Sequence, residues 1–251
     1  MPLKQLRVIG LSGLPEVSAG DDLPSLIADA MGRDSLQIHN QDILVIAQKI
    51  VSKAEGCMVN LEEVDPSPLA LSWARTHGKD PRVVEVVLRE SCRLVRMERG
   101  LLISETRQGY ICANAGVDTS NVPEGTVALL PEDPDHSAAE IRKSLETRLG
   151  VKIAVIISDT FGRPWRDGLT NVALGVSGMK PFLDYRKERD RFGNELKATQ
   201  MAVADELASA AELAMGKTDD IPVALIQGFT YPEGEGFGLE LVRPSESDLF
   251  R

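Results

Sequence analysis

The sequence predicts an α+β fold in which mixed β-sheets pack against helices. Continuous apolar runs rich in β-branched residues are typical of buried strands, and they occur at Ile43–Ala47, 153–157 and 221–228. A strand, a helix and another strand follow one another over residues 126–157, which predicts some parallel pairing. Two short strands joined by a polar turn over residues 100–116 predict an antiparallel hairpin.

Helical patterns cover much of the remaining sequence. Acidic residues precede the apolar-periodic segment 23–31, as they do at the start of a helix. Residues 67–99 are predicted to be helical throughout, as one helix that ends at Gly78 and a second that begins at Pro81. Residues 200–215 form the clearest helix in the chain, and their many alanines permit close packing against another helix.

The capping-box pattern of Ser137 and Glu140 predicts a helix that begins at Ser137 and stops at Gly150. His136, just before it, is expected in a loop. After residue 228 the chain is rich in glycine and acidic residues, so we expect a loop or tail there rather than a packed element.

Composition narrows the class of protein. Of the 251 residues, 43% are hydrophobic and 26% charged, which suffices for a buried core in one domain or in two interwoven lobes. The net charge of −10 and the absence of any Lys/Arg block argue against nucleic-acid binding. Three cysteines without CxxC spacing indicate neither a disulfide framework nor a zinc site. No membrane span and no secretory signal are found, so we expect no membrane partner and a cytoplasmic location.

Polar residues follow the predicted strand 153–157 at once, beginning with Ser158, Asp159 and Thr160 and continuing into glycines and arginines. An acidic side chain at the carboxyl end of a buried strand suits a ligand site, and glycine lets a ligand approach the backbone. The alternative is a polar turn in which Asp159 caps the next segment. This segment alone does not separate the two interpretations.

Two other segments carry candidate ligands. Lys49 and Lys53 follow the strand at Ile43–Ala47 and would share one face of a helix, where they could hold phosphates; solvated surface lysines are the alternative. Asp118 follows the hairpin, and its carboxylate could join that of Asp159 in binding a hard cation. An Asx-type turn explains Asp118 without any function.

Three absences exclude familiar enzyme classes. No GxxxxGK[ST] sequence occurs, which excludes a P-loop NTPase. No Ser-His-Asp or Cys-His arrangement stands out, and three scattered histidines argue against a hydrolase.

Five segments, taken in order, resemble the coenzyme F420-0:γ-glutamyl ligase family: GLPEVSAGDDL, LVIAQKIVSKAEG, ICANAGVDTSNVPEG, ISDTFGRPWRDGLTNVALGVSGM and MGKTDDIPVALIQG. The resemblance implies this family's α+β fold, an intertwined homodimer, and one ligase domain over residues 1–251 without a fused second domain. It implies an enzyme that adds L-glutamate through γ-linked amide bonds to coenzyme F420-0. GTP would be the co-substrate, with Mg²⁺ or Mn²⁺ as cofactor, two ions per site.

The resemblance also assigns site residues. It places Asp118, Asp159 and Thr160 at the metal. It places the guanine nucleotide against Leu14, Pro15, Glu16, Val17, Gln48, Lys49, Lys53, Asn121, Met215, Gly216, Lys217 and Ile221. Lys217 departs from the family pattern, because relatives often carry an acidic or amide residue at this position, and the lysine gives no reason to expect a metal contact there.

Making an amide requires an activated carboxylate, most simply an acyl phosphate formed with the nucleotide γ-phosphoryl group. Asp159 is assigned to this reaction centre. Arg163 and Arg166 are the predicted contacts of the anionic acceptor, because the planar arginine fork matches carboxylate and phosphate oxygens; pairing with Asp167 is the alternative. Two other functions stay open, namely an amide ligase for a different carboxylate acceptor and a non-catalytic nucleotide- or cofactor-binding homologue.

Overall fold

The computed structural model describes residues 4–249, and in that range it contains twelve β-strands and six α-helices, with four short 3-10 helices. The strands are β1 (Arg7–Leu11), β2 (Ile43–Ala47), β3 (Met58–Asn60), β4 (Ser91–Glu98), β5 (Leu101–Thr106), β6 (Ile111–Ala113), β7 (Thr126–Ala128), β8 (Ala154–Arg163), β9 (Arg166–Ser177), β10 (Leu183–Asp184), β11 (Gln200–Met201) and β12 (Val223–Gln227). The helices are α1 (Leu23–Arg33), α2 (Gln48–Ala54), α3 (Pro68–His77), α4 (Pro81–Arg89), α5 (Pro134–Leu149) and α6 (Val203–Met215).

The largest sheet has five strands in the order β1-β12-β2-β8-β9. Strands β2 and β8 are parallel, and the other three pairs are antiparallel. The prediction of an α+β fold with mixed sheets is therefore confirmed, and each of the three apolar runs forms a strand in this sheet.

Both faces of this sheet are covered, as continuous apolar strands require. Leu44 and Ile46 of β2 face a core that includes residues of α1, α2 and α5. Ile43 and Val45, which alternate with them, face a second core built against α6. The alanines of α6 (Ala204, Ala208 and Ala211 among them) are buried there against strands of the sheet, and not against another helix as the sequence predicted.

A second region packs α3 and α4 against the antiparallel sheet β4-β5-β6. Here the predicted hairpin is confirmed as β5 and β6. Helix α3 ends at Gly78, whose φ of 64° lies in the left-handed region, as the sequence predicted. The described part of the chain has no helix long and apolar enough to cross a membrane.

The prediction that residues 67–99 are helical throughout is wrong beyond Arg89. Residues Ser91–Glu98 form β4, which pairs along its length with β5. Arg93 and Glu105 form an ion pair across these strands at 2.7 Å. Helical propensity is a weak preference, and pairing with a strand distant in sequence has overridden it.

Two details predicted around α5 differ in the structure. The predicted parallel pairing is present, but β8 pairs with β2, whereas β7 pairs with β3 in a separate two-stranded sheet and is not part of a strand-helix-strand unit with β8. Helix α5 begins at Pro134, because the side chain of Asp133 accepts the backbone N–H of His136 at 2.9 Å and caps the helix three residues earlier than expected. His136 accordingly lies in the helix, and Ser137 bonds to Glu55 instead of capping.

The glycine-rich segment after β12 packs against the core, contrary to the expected loop or tail. Tyr231 is only 7% exposed and joins the core on the α6 face. Gly238 is buried against β9, and its N–H donates to Asp135 Oδ1 at 2.7 Å. The glycines permit close backbone approach, which explains how a segment poor in large apolar residues still packs.

Candidate functional site

Four chain segments converge at one edge of the five-stranded sheet. The carboxyl ends of the parallel neighbours β2 and β8 lie at this edge, where Ala47 is opposite Ser158. The antiparallel β12 begins there, so the segment 215–222 between α6 and β12 arrives at the same place. Strand β1 ends there, opposite the start of β12, and leads into residues 14–17. Such an edge is a common site of ligand binding in α/β sheets.

A cleft of about 1210 Å³ opens at this edge. All residues that the resemblance assigns to metal or nucleotide line it, namely Leu14, Pro15, Glu16, Val17, Gln48, Lys49, Lys53, Asp118, Asn121, Asp159, Thr160, Met215, Gly216, Lys217 and Ile221. The fold thus brings together residues that are up to about two hundred positions apart in sequence.

Asp159 and Thr160 lie inside a strand and not in a turn after it. Strand β8 continues to Arg163 because β9 pairs with it throughout, with Asp159 opposite Val172 and Thr160 opposite Asn171. Successive side chains of a strand point to opposite faces, so these two serve different sides of the cleft. The interpretation of Asp159 as a helix or turn cap is therefore wrong.

Asp118 is held by Lys49, the second residue of α2. The Lys49 Nζ lies 2.8 Å from Asp118 Oδ2, and it also donates to the carbonyl oxygen and to the Oγ of Ser120, each at 2.8 Å. Burial raises the pKa of Asp118, but hydrogen bonds and the positive charge of Lys49 outweigh burial and leave the pKa below its usual value. The Asp118 carboxylate is thus ionised and faces the cleft.

For Asp159 the effect of burial on the pKa is larger than that of the neighbouring hydrogen bond and cations. Burial raises its pKa from 3.8 to about 6, and the negative charge of Asp118 adds to that rise. The N–H of Thr160 and the cations Lys49 and Lys217 lower it, but by less. Two carboxylates that repel each other in a half-buried cleft favour a bound cation, because the cation offsets both the repulsion and the lost solvation.

The donor set suits a hard divalent cation held partly by its substrate. Within residues 4–249, no cluster of three or more His, Cys, Asp or Glu side chains could enclose a metal ion. Mg²⁺ is usually held by one or two carboxylates together with waters and substrate phosphates. Asp118 and Asp159, with the hydroxyl of Thr160 beside them, provide that kind of partial coordination.

A closed ring of hydrogen bonds joins four side chains on the Thr160 side of the cleft. Lys217 Nζ donates to Thr160 Oγ1 at 2.7 Å, and Thr160 Oγ1 donates to Asn171 Oδ1 at 2.7 Å. Asn171 Nδ2 donates to Glu212 Oε2 at 2.9 Å, and Glu212 Oε1 pairs with Lys217 Nζ at 2.8 Å. Each polar atom of this ring has a partner, so the ring fixes the Thr160 hydroxyl.

Helix α2 supplies two further polar groups to the cleft. Lys53 Nζ pairs with Glu16 Oε1, whose side chain is 79% exposed while that of Lys53 is 10% exposed. Lys53 is thus not the solvated surface lysine that the sequence left open. Gln48 is buried, and its Oε1 accepts a hydrogen bond from Ser52 Oγ at 2.8 Å.

Arg163 and Arg166 are not among the cleft-lining residues. Both are exposed at the tip of the β8–β9 hairpin, just beyond Gly162, which does line the cleft. Arg163 Nη2 donates to the carbonyl oxygen of Asp167 at 3.2 Å. The two arginines therefore lie outside the cleft mouth, and within residues 4–249 neither side chain forms an ion pair with the Asp167 carboxylate.

Sequence reasoning named Ser158 only as part of a polar segment and did not identify Asn171 or Glu212, although all three line the cleft. Ser158 is 1% exposed, and its Oγ has no hydrogen-bond partner among the described residues. Asn171 could be found only from the register of β9. The sequence does contain a signal for Glu212: it lies four residues after the buried Ala208, so the helical period places the two on the same face of α6.

Comparison with known proteins identifies the family of this chain. A family model described as F420-0:Gamma-glutamyl ligase matches residues 13–228. Among the relatives, the coenzyme F420:L-glutamate ligases of Methanothermobacter thermautotrophicus and Methanopyrus kandleri are each 48% identical to this chain, and that of Methanocaldococcus jannaschii is 44% identical. Each alignment covers 98% or 99% of this chain and of the relative. The chain belongs to the F420-0:γ-glutamyl ligase family.

Proposed function

We propose that the protein is a GTP- and divalent-metal-dependent ligase that adds L-glutamate to coenzyme F420-0 through γ-linked amide bonds. The observation that carries this proposal is the single cleft in which all fifteen residues assigned by the resemblance to metal or nucleotide occur together. The names of the full-length relatives support the glutamate donor and the F420 acceptor.

The guanine nucleotide would occupy the side of the cleft formed by residues 14–17, helix α2, Asn121 and the segment 215–221. Lys49 and Lys53 would neutralise its phosphates. Both lysines pair with carboxylates in the present structure. On nucleotide binding Lys53 would exchange Glu16 for phosphate oxygens, and Lys49 would exchange its bonds to Ser120 while it keeps Asp118. Glu16 is largely exposed and can turn away into solvent at little cost.

Asp118 and Asp159 would hold the divalent cation, Mg²⁺ or Mn²⁺, against those phosphates. The hydroxyl of Thr160, the third residue that the resemblance assigns to the metal, is held by Lys217 and Asn171. When bound, the cation would withdraw charge from the transferring phosphoryl group. The chain's own contribution is position: Lys49 holds the Asp118 carboxylate at 2.8 Å, and Asn171 holds the Thr160 hydroxyl at 2.7 Å. Such preorganised charge is the main means by which proteins catalyse phosphoryl transfer.

The reaction would then proceed in two steps. A carboxylate oxygen of the acceptor attacks the γ-phosphorus of GTP, the bond to the β-phosphate oxygen breaks, and GDP leaves. The amine of glutamate attacks the acyl carbon of the resulting acyl phosphate, and inorganic phosphate leaves as the amine loses a proton. Cationic side chains around the cleft (Lys49, Lys53 and Lys217) would stabilise the negative charge of the first step.

Arg163 and Arg166 would bind the acceptor outside the cleft mouth. They follow Gly162 along the hairpin, so an acceptor with its carboxylate near Asp159 could extend its phosphodiester toward them. Their exposure leaves their guanidinium groups open to such an anion.

The active form would be a homodimer, to which the exposed hairpin contributes. On this hairpin Leu169 is 69% exposed and Trp165 is 85% exposed. Large apolar side chains that are exposed next to each other are typical of a surface that contacts another protein chain. Light scattering should report about twice the 27.3 kDa chain mass. A mass of one chain at micromolar concentration would refute the dimer.

Mass spectrometry of the products tests the function directly. Incubation with F420-0, L-glutamate, GTP and Mg²⁺ or Mn²⁺ should yield F420 species heavier by one or more glutamyl groups, with GDP and phosphate released. GTP use that requires glutamate but accepts another carboxylate would indicate a different acceptor. Nucleotide binding without any product would indicate a non-catalytic homologue.

A further inference from the structure

Lys217 projects a positive charge into the part of the cleft where Thr160 lies. Its Nζ is 2.7 Å from Thr160 Oγ1 and 2.8 Å from Glu212 Oε1. The preceding Gly216 has φ 62° and ψ −171°, and a Cβ there would lie 2.6 Å from Asp219 Oδ2. The turn that directs Lys217 toward Thr160 therefore requires glycine.

The hydrogen-bonded ring already uses the side-chain oxygens of Thr160, Asn171 and Glu212. Thr160 Oγ1 bonds to both Lys217 and Asn171, and the two oxygens of Glu212 accept from Asn171 and Lys217. A divalent cation placed at Thr160 and Glu212 would have to displace an ammonium group that already neutralises them. At Asp118, by contrast, one ammonium group makes a direct contact among the described residues: Lys49 pairs with Asp118 Oδ2, while the backbone N–H of Ser120 donates to Asp118 Oδ1.

Charge counting gives the same result. Five carboxylates line the cleft together with three ammonium groups, which leaves two negative charges before any ligand binds; they are Glu16, Asp118, Asp159, Glu212 and Asp220, and Lys49, Lys53 and Lys217. One divalent cation at Asp118 and Asp159 offsets that charge. A second cation would add two further charges beside an ammonium group 2.7 Å from its ligand, where like charges repel.

We infer that Lys217 is a built-in cation of this site and that the cleft binds one divalent metal ion, at Asp118 and Asp159, instead of two. This inference rests on the proposed function, since it assumes a nucleotide and a metal in the cleft. Lysine suits the task because its ammonium is a compact point charge on a flexible stem. Its side chain is 60% exposed, and an exposed ion pair is weak, so the ammonium can move from Glu212 to a phosphate or carboxylate oxygen of the substrates.

Electron paramagnetic resonance with Mn²⁺ tests the number of metal ions. Mn²⁺ is titrated into equimolar protein and a slowly hydrolysed GTP analogue; bound ions are counted, and spin–spin broadening reports whether two lie close together. The wild-type protein should bind a single, uncoupled ion. The Lys217→Gln variant removes the charge and offers an amide oxygen, so it should bind a second ion that couples to the first.

Lys197→Gln is the matched control, because Lys197 is exposed and does not line the cleft. It should retain one uncoupled ion. A coupled pair in the wild-type protein, or one ion in Lys217→Gln as in the wild type, would overturn the inference. Failure of all three proteins to hold any Mn²⁺ beyond that bound by the analogue alone would instead refute the proposed nucleotide–metal site, and the inference with it.

Discussion

At the scale of single residues, the ionised carboxylate of Asp159 lowers the stability of the folded protein. Burial raises the pKa of its carboxyl to about 6, so at neutral pH the ionised form is held in an unfavourable place. Proteins often accept such a cost at functional sites and recover activity in exchange for stability. Asp118 avoids it, because Lys49 and Ser120 compensate for its burial.

Replacing Asp159 by asparagine should separate the effect of this carboxyl group on stability from its effect on activity. A raised pKa means that the protonated carboxyl contributes stability below 3.8, and that this stability is lost as the pH rises through about 6. In metal-free protein, Asp159→Asn should therefore gain stability relative to the wild type between pH 4 and pH 7, by up to ~3 kcal/mol and less if solvent screens the charge. Turnover should fall by at least ~100-fold.

Urea unfolding at the two pH values, in the presence of a chelator, measures the first effect. Steady-state product formation at saturating Mg²⁺ measures the second. Near-normal turnover would remove Asp159 from the reaction centre, and a stability difference that does not change with pH would show that its carboxyl is not strained.

Lys49 and Lys53 are predicted to bind phosphates. Lys49→Ala and Lys53→Ala should each weaken GTP binding by ~10-fold, since one lost charge–phosphate contact is worth ~1.4 kcal/mol. Isothermal titration calorimetry measures this affinity. Lys143→Ala serves as control, because its side chain lies on the outer part of α5 and is 76% exposed. Unchanged GTP affinity in both cleft variants would assign these lysines a structural role only.

At the scale of secondary-structure elements, the segment after β12 is a packed part of the molecule. Gly238 approaches β9 so closely that an added Cβ would lie 1.7 Å from the carbonyl oxygen of Leu174. The obstructing atom belongs to the backbone and cannot rotate away. The segment therefore packs directly on β9, the strand that also contains the cleft residue Asn171.

Gly238→Ala should consequently lower the free energy of unfolding by ~1–3 kcal/mol or more. Gly32→Ala is the matched comparison: Gly32 lies in α1 with nothing within 4 Å of its added Cβ, so alanine there should be neutral or stabilise by up to ~1 kcal/mol. The unfolding midpoints of the two variants in urea measure both values. Equal midpoints would mean that the glycine-rich segment contributes nothing to the fold.

At the scale of the whole molecule, the net charge of −10 opposes binding of anionic substrates. Nucleotide and acceptor must both be attracted by local cations. In the cleft these cations are Lys49, Lys53 and Lys217, and at its mouth they are Arg163 and Arg166 of the hairpin.

Arg166→Lys should raise the KM of the acceptor several-fold and leave that of GTP nearly unchanged. The substitution retains the charge but loses the planar fork that matches carboxylate and phosphate oxygens. Initial rates with each substrate varied in turn provide the two values. A parallel rise of both KM values, or no change in either, would show that the arginine is structural.

The sequence by itself determined the elements whose signals are local. Apolar runs predicted β2, β8 and β12 because a strand buried on both faces must be apolar throughout. The five family segments identified fifteen of the residues that line the cleft, since these residues lie close together within each segment. Gly78 and Gly150 ended their helices where predicted, because only glycine readily adopts the left-handed conformation.

Only the tertiary structure decided the features that depend on distant partners. Residues 91–98 became a strand because β5 offered a pairing edge, and β8 extended through Asp159 because β9 pairs with it to the hairpin tip. The ring that joins Lys217 to Thr160, Asn171 and Glu212 depends on strand register and on the turn at Gly216. Strand pairing and hydrogen-bonded networks of side chains depend on free energies summed over many non-local contacts. No single segment of the sequence contains those contacts.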